Sequence, residues 1–229
     1  MLANIVGKWL HQPRGASPRV ATLSSEFNQM PTPSAPISSV CVYCASSNDA
    51  SRAWLDAAAE LGAALAAADI RLIYGGGSVG LMGACATAAH QAGGHVLGIM
   101  PRFLISREHV LPKIETVIVE TMHERKIRMF DEADAFVVLP GAIGTLEEAI
   151  ELISWRRLGL HAKPIVFYNP TGFWDPLFEL FENFIAAKLV PRAFLECWRV
   201  VETIEDVIPA LQAMPRETAP LPLHMGDVA

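Results

Sequence analysis

The stretch DAFVVLPGAIGTLEE, residues 134–148, leaves the chain few ways to fold. Its apolar run from Ala135 to Leu139 is closed by Pro140 and Gly141 and followed by strong helix formers, which predicts a buried strand, a tight turn and the start of a helix. Such a junction aims free backbone N–H groups and the positive end of a helix dipole at whatever lies above it, so anions bind there readily. Gly141 and Gly144 keep side chains out of the loop where a phosphate would approach, and Thr145 adds a hydroxyl donor beside the unpaired amides. Glu147 and Glu148 are expected in the helix's first turn, where attraction to the dipole would account for each of them as well as a chemical role does.

The same strand-to-helix pattern recurs along the chain. Strands are expected over 40–45, 70–74, 95–100, 114–119, 163–168 and 199–202. Helices are expected over 52–68, 84–92, 122–130, 146–158, 173–187 and 204–214. Residues 101–112 read as a long polar loop. Continuous apolar strands alternating with helices predict an α/β protein: a doubly wound parallel sheet with helices on both faces. Residues 37–214 form a single domain on this reading. Residues 1–36 are expected to be a disordered extension, because Lys8, Arg14 and Arg19 precede the first acid, Glu26, and MPTPSAP cannot hold regular structure. A transit peptide shares that composition and is the alternative for this segment. Residues 215–229 read as a frayed tail.

Composition excludes several classes of function. With 229 residues, 52% hydrophobic, the chain can bury one good-sized core. A formal charge of −6 argues against a general electrostatic grip on nucleic acid or on an anionic membrane, so any phosphate recognition must be local. Apolar runs fall short of the ~20 residues a bilayer span requires, and no apolar stretch near the start ends in a small-residue cleavage site, which points to a soluble, cytoplasmic protein. Cys41 and Cys44 form a CxxC inside a strand-like run, where buried structural thiols are expected rather than a redox pair or half a zinc site. No His, Cys or carboxylate spacing makes a convincing metal site, and no metal or cofactor is expected.

Ligands of doubly wound sheets collect at the carboxyl ends of the strands. Three loops are expected to converge there. One is the PGAIGT turn. A second is GGGSVGLMG, residues 75–83, whose glycines permit close backbone approach but match neither GxGxxG with its ribose-binding acid nor the phosphate-binding GxxxxGK[ST]. The third opens the helix MHERKIRMF, which brings Arg125 and Lys126 to the same edge. The crevice so built holds anion-binding backbone, two basic side chains and the carboxylates Glu147 and Glu148. Substrate contacts are expected from Ser46, Met122, Lys126 and Glu147, and from the backbone at Gly76, Gly77, Gly141, Gly144 and Thr145. His123 is expected to cap or pack.

Three of these segments, GGGSVGLMG, MHERK and PGAIGTLEE, occur in an order that resembles the LOG family, once widely labelled lysine decarboxylases. The resemblance covers about residues 38–214. It implies a Rossmann-like fold, a homodimer, and hydrolysis of the N-glycosidic bond of an N6-modified AMP to free base and ribose 5-phosphate. The family's catalytic Arg matches Arg125 and its catalytic Glu matches Glu148. One departure is Ala142, where the family motif has glycine. If that position needs positive φ, alanine costs on the order of 1 kcal/mol there, and its methyl crowds the ligand.

The chemistry follows from the residue types. Breaking a ribosyl C–N bond passes through an oxocarbenium-like state, so a carboxylate such as Glu148 can stabilise the sugar's charge and orient or deprotonate a water. A guanidinium such as Arg125 can offset negative charge on the departing base, or hold the phosphate. Trp155, Leu158, Met100 and Phe103 are candidates to meet an N6 substituent. Two rivals use the same crevice: a nucleosidase for unmodified AMP or GMP, and a nucleotide-binding module without catalysis. A pyridoxal-phosphate decarboxylase would need a Schiff-base lysine in a cofactor pocket and a large second domain, for which this chain is short.

Overall fold

The computed structural model describes residues 36–216, so nearly all of the proposed N-terminal extension and the tail beyond Arg216 lie outside it. Within those residues seven strands form one wholly parallel sheet. They are β1 (Ser39–Tyr43), β2 (Arg71–Tyr74), β3 (Val96–Pro101), β4 (Glu115–Val119), β5 (Ala135–Val138), β6 (Ile165–Tyr168) and β7 (Arg199–Val201). Their order is β4-β3-β2-β1-β5-β6-β7. Winding proceeds one way from β1 to β4 and then restarts at β5 on the other side of β1. The order therefore reverses between β1 and β5, with Val40 opposite both Leu72 and Ala135. A crevice opens above that reversal because the connections leave in opposite directions.

Helices cover both faces, as the sequence predicts. Helices α1 (Arg52–Ala67), α2 (Gly80–Gln91) and α7 (Val207–Ala213) pack on one face, burying Leu61, Leu65, Leu81 and Leu211 against Val40, Val42 and Leu72. Helices α4 (Met122–Glu132), α5 (Ile143–Arg157) and α6 (Asp175–Ala186) pack on the other, burying Met129, Leu152 and Phe181 with Cys41, Tyr43 and Phe136. Successive strand residues point to opposite faces, so the central strands, covered twice, must be apolar at every position. The same alternation parts the CxxC. Cys41 belongs to one core layer and Cys44 to the other, both are free thiols, and burial pushes both thiol pKa values up. Among the described residues no helix is long and apolar enough to cross a membrane, and no cluster of His, Cys, Asp or Glu could hold a metal ion.

Three departures from the expected elements bear on the site. Helix α2 starts at Gly80, inside the glycine stretch, not at Ala84. The expected loop 101–112 contains a 3₁₀ turn, Arg102–Leu104, and a short helix α3, Ile105–Glu108. That segment is pinned to the glycine loop, with Ser78 donating from Oγ to the Glu108 carbonyl at 3.0 Å and Gly77 bridging Val110. Helix α5 starts at Ile143, so Glu147 and Glu148 lie in its second turn and no acid occupies the first. The dipole's pull fades within one turn and does not account for them.

Candidate active site

Arg125 owes its position to a helix cap. Thr121 accepts from the Glu124 N–H at 3.1 Å while the Glu124 carboxylate accepts from the Thr121 N–H at 3.3 Å, a reciprocal box that fixes where α4 begins. His123, exposed beside it, takes no part in that cap. Arg125, one turn in, points inward and is 8% exposed. Its Nε donates to the Ile99 carbonyl at 3.3 Å and its Nη2 to the Gly75 carbonyl at 3.4 Å. The guanidinium thus rests on the carboxyl ends of β3 and β2, and a Cβ at residue 75 would overlap it.

The remaining nitrogen, Nη1, stands 3.7 Å from Glu148 Oε1, with both side chains 10% exposed. Glu148 projects from the second turn of α5, beyond the β5 turn, and Arg125 comes from α4, so the two groups meet at the order reversal. Burial pushes the Glu148 carboxyl up to about 7, against the pull of Arg125, and the Glu147 and Glu108 charges push the same way.

A cavity of about 210 Å³ opens in front of this pair. The β1 loop contributes Ser46 and Ser47, the α5 N-terminus Ala142, Gly144 and Thr145, and the helices Met122, Glu147 and Glu148. Gly144 has open space where a side chain would stand. No side chain caps α5, so its first amides are left to the cavity. Ala142 adopts φ −94°, an ordinary value, so the expected backbone strain is absent there.

Four expected contacts are placed elsewhere. Gly141 does not line the cavity; a Cβ on it would overlap the Thr145 side chain, so its smallness serves packing within the turn. Gly76 and Gly77 lie beneath the surface, Gly76 against β3 with φ +82° and Gly77 against Glu108, and of the three glycines 75–77 Gly75 alone reaches the cavity. Lys126 stands behind the wall, with its ammonium 2.6 Å from Glu147 and 3.1 Å from Glu151. Burial alone would lower its pKa, but the two carboxylates hold it above the ordinary lysine value. An ammonium so engaged does not fit a Schiff-base role. The expected N6 contacts are also misplaced. Met100 is fully buried in β3, Trp155 packs edge-on to Phe130, and neither these nor Phe103 and Leu158 line the cavity. Its apolar wall is Val42, Met82, Met122 and Met129.

Glu108 is the residue that sequence reasoning missed. It ends α3, lines the cavity, and holds a buried Oε2 with no hydrogen-bond partner among the described residues. That oxygen lies against Gly77, beneath the cavity surface, and leaving it unpaired costs stability. The only trace in the sequence is an acid in a loop between two strands, and the fold of 105–110 over the glycine loop is what carries it into the site.

The family model described as possible lysine decarboxylase matches residues 82–211, more than half of the chain. The cytokinin riboside 5′-monophosphate phosphoribohydrolase LOG of Oryza sativa subsp. japonica is 40% identical over 196 residues, covering 79% of this chain and 81% of the relative. A cytokinin riboside 5′-monophosphate phosphoribohydrolase of Arabidopsis thaliana is 46% identical over 145 residues, covering 63% and 68%. Among solved structures, the molybdenum cofactor carrier protein of Chlamydomonas reinhardtii superposes with a TM-score of 0.58 at 18% identity, over 77% of this chain and 96% of that one; the similarity is one of fold.

Proposed function

The chain belongs to the LOG family, the one its family model describes as possible lysine decarboxylases, and from that membership together with the site's geometry we propose that it hydrolyses the N-glycosidic bond of N6-modified adenosine 5′-monophosphates, releasing the free base and ribose 5-phosphate. The observation that carries the reading is the placement of Arg125 and Glu148 face to face, 3.7 Å apart and nearly buried, beside an uncapped helix N-terminus.

The 5′-phosphate rests on the free amides at Gly144 and Thr145, where the dipole of α5 favours an anion. That leaves the ribose above Glu148 and Glu108. Glu108 turns its carboxylate toward the ribose hydroxyls, with Ser46 and Glu147 at the rim. Met82 and Met122 face the base and its N6 substituent, flexible side chains suited to an apolar group. As the C–N bond stretches, positive charge grows on the sugar and negative charge on the purine. Glu148 in its carboxylate form stabilises the first and takes a proton from the attacking water. Arg125 offsets the second. A carboxyl pKa near 7 suits a base working at neutral pH, and Arg125, pre-anchored by two carbonyls, needs little reorganisation.

The working unit in this reading is a cytoplasmic homodimer with activity in residues 37–214. Exposed apolar residues on and after α5, Ile143, Ile150, Leu158 and Leu160, support a second copy of the chain as the cover for that surface. The test is incubation with isopentenyl-AMP and with AMP, scoring ribose 5-phosphate and free base. Turnover of the modified nucleotide is expected. Binding without product, or turnover of AMP alone, would refute the reading.

A further inference from the structure

A second hollow, of about 520 Å³, lies at the amino-terminal edge of the sheet, the end opposite the site above. Its lining brings together charged and imidazole groups from separate elements. Arg71 opens β2, His90 sits in the last turn of α2, His95 precedes β3, Lys113 precedes β4 and Glu115 opens it. In a chain whose 24 acids outnumber its 18 lysines and arginines, four basic side chains here face one acid. His90, His95 and Lys113 are exposed and, among the described residues, make no ion pair. Lys113 is held at φ +71°, a conformation that costs a non-glycine residue energy. Arg71 is half-buried and engaged on one side only, its Nη1 lying 3.0 Å from Glu132, which also holds Arg128.

From this convergence we infer that the hollow is a second anion site, for a small phosphate-bearing molecule. A guanidinium, an ammonium and two imidazoles from four elements offer donors in several directions, which suits the several oxygens of a phosphoryl group better than a flat carboxylate. The hollow has room for more than one phosphate, so a diphosphate or a phosphate ester fits it. Two acids set its affinity from opposite sides. Glu115 faces the ligand directly, and Glu132 competes with it for Arg71. Removing either charge therefore tightens binding, an effect that a merely structural role for these residues would not produce.

Inorganic pyrophosphate and ribose 5-phosphate are the probes, added in turn to the full chain while the His90 and His95 imidazole resonances are followed by NMR, assigned through His90→Gln and His95→Gln. Both resonances are expected to shift saturably, and the tighter of the two probes tells a diphosphate ligand from a phosphate ester. Lys113→Ala is expected to weaken binding about two- to fivefold, and Glu115→Gln and Glu132→Gln each to tighten it by a similar factor, the scale of one partly screened charge. Anions entering the substrate cavity would leave both histidines unmoved. Unshifted His90 and His95 at millimolar pyrophosphate and ribose 5-phosphate, or shifts whose affinity ignores all three charge changes, would overturn the inference.

Discussion

The Arg125 guanidinium is fixed by two strand-end carbonyls before it ever faces Glu148, so the 3.7 Å approach of Nη1 to Oε1 belongs to the fold and not to a chance rotamer. Glu148→Gln keeps the shape and removes the charge. Turnover of the modified nucleotide is expected to fall by about 10² or more, the scale for losing a positioned acid–base group, while nucleotide affinity stays within a few-fold. Single-turnover kinetics beside equilibrium binding separates the two quantities. Wild-type rates in the variant would remove Glu148 from the mechanism.

The same carboxyl links activity to pH. Its pKa is raised to about 7, mainly by burial, so the active carboxylate form accumulates as pH rises through 7 and the rate is expected to climb over that range. Arg125 pulls this pKa down, so Arg125→Ala should push the limb to higher pH as well as lower the rate. For stability, a carboxyl raised above its unfolded value of 4.5 contributes fully below pH 4.5, and the contribution is lost as pH rises through about 7. Glu148→Gln should therefore gain stability over wild type between pH 5 and pH 8, by at most about 3 kcal/mol. Denaturant melts of both proteins at the two pH values give the difference directly.

Gly75 tests the anchoring of Arg125 without touching its charge. A methyl group at this position would overlap the guanidinium, so Gly75→Ala must displace it from the Gly75 and Ile99 carbonyls. The expected result is a folded protein with kcat reduced more than tenfold, since misplacing a catalytic group by about 1 Å can cost as much as 10². A variant with unchanged kcat and KM would show that Arg125 acts from a range of positions.

Much of this was legible in the sequence, and the reasons for the exceptions are physical. Apolar runs such as Ala135 to Leu139 can hardly be anything but doubly covered strands, so sheet, helices and crevice follow from the pattern. The strand pattern brings Arg125 and Glu148 to one sheet edge but brings Lys126 and Glu147 there as well, and it is the resemblance to the LOG family that singles out the first two. Glu108 was not legible, because its position depends on how an irregular segment folds over a distant glycine loop, and local spacing does not encode that. The glycines misled for a related reason. A bare residue next to a ligand and a bare residue under a neighbouring side chain look alike in sequence, and Gly141 is the second kind.

His161, outside the site, matters for acid stability. It is 7% exposed, its Nδ1 accepts from the Lys163 N–H at 3.1 Å, and its Nε2 therefore donates to the Leu152 carbonyl at 3.0 Å. A second ring proton would face an N–H, and burial lowers the pKa to about 4. The unfolded chain takes up a proton near 6.5 and the folded one does not, so stability is full above 6.5 and is lost as pH falls toward 4, by up to about 3 kcal/mol. His161→Leu is expected to be less stable than wild type at pH 7.5 by about 1–3 kcal/mol, for the two backbone groups left unpaired. That gap should narrow between pH 6.5 and 4.5. A gap independent of pH would mean the imidazole protonates in the folded state.

Ala142 separates two explanations for a motif glycine, conformational freedom and room for a ligand. Its φ of −94° and ψ of −154° are open to any residue, so Ala142→Gly relieves no strain. Glycine instead adds freedom to the unfolded chain, and the variant is expected to lose about 0.5–1 kcal/mol of stability. Activity depends on the other explanation. Ala142 lines the cavity beside Gly144 and Thr145, where the phosphate is proposed to sit, so a methyl that crowds the ligand should show as a KM that falls in Ala142→Gly with kcat little changed. An unchanged KM would mean the methyl lies clear of the bound nucleotide, and the alanine is then a neutral replacement favoured slightly by stability.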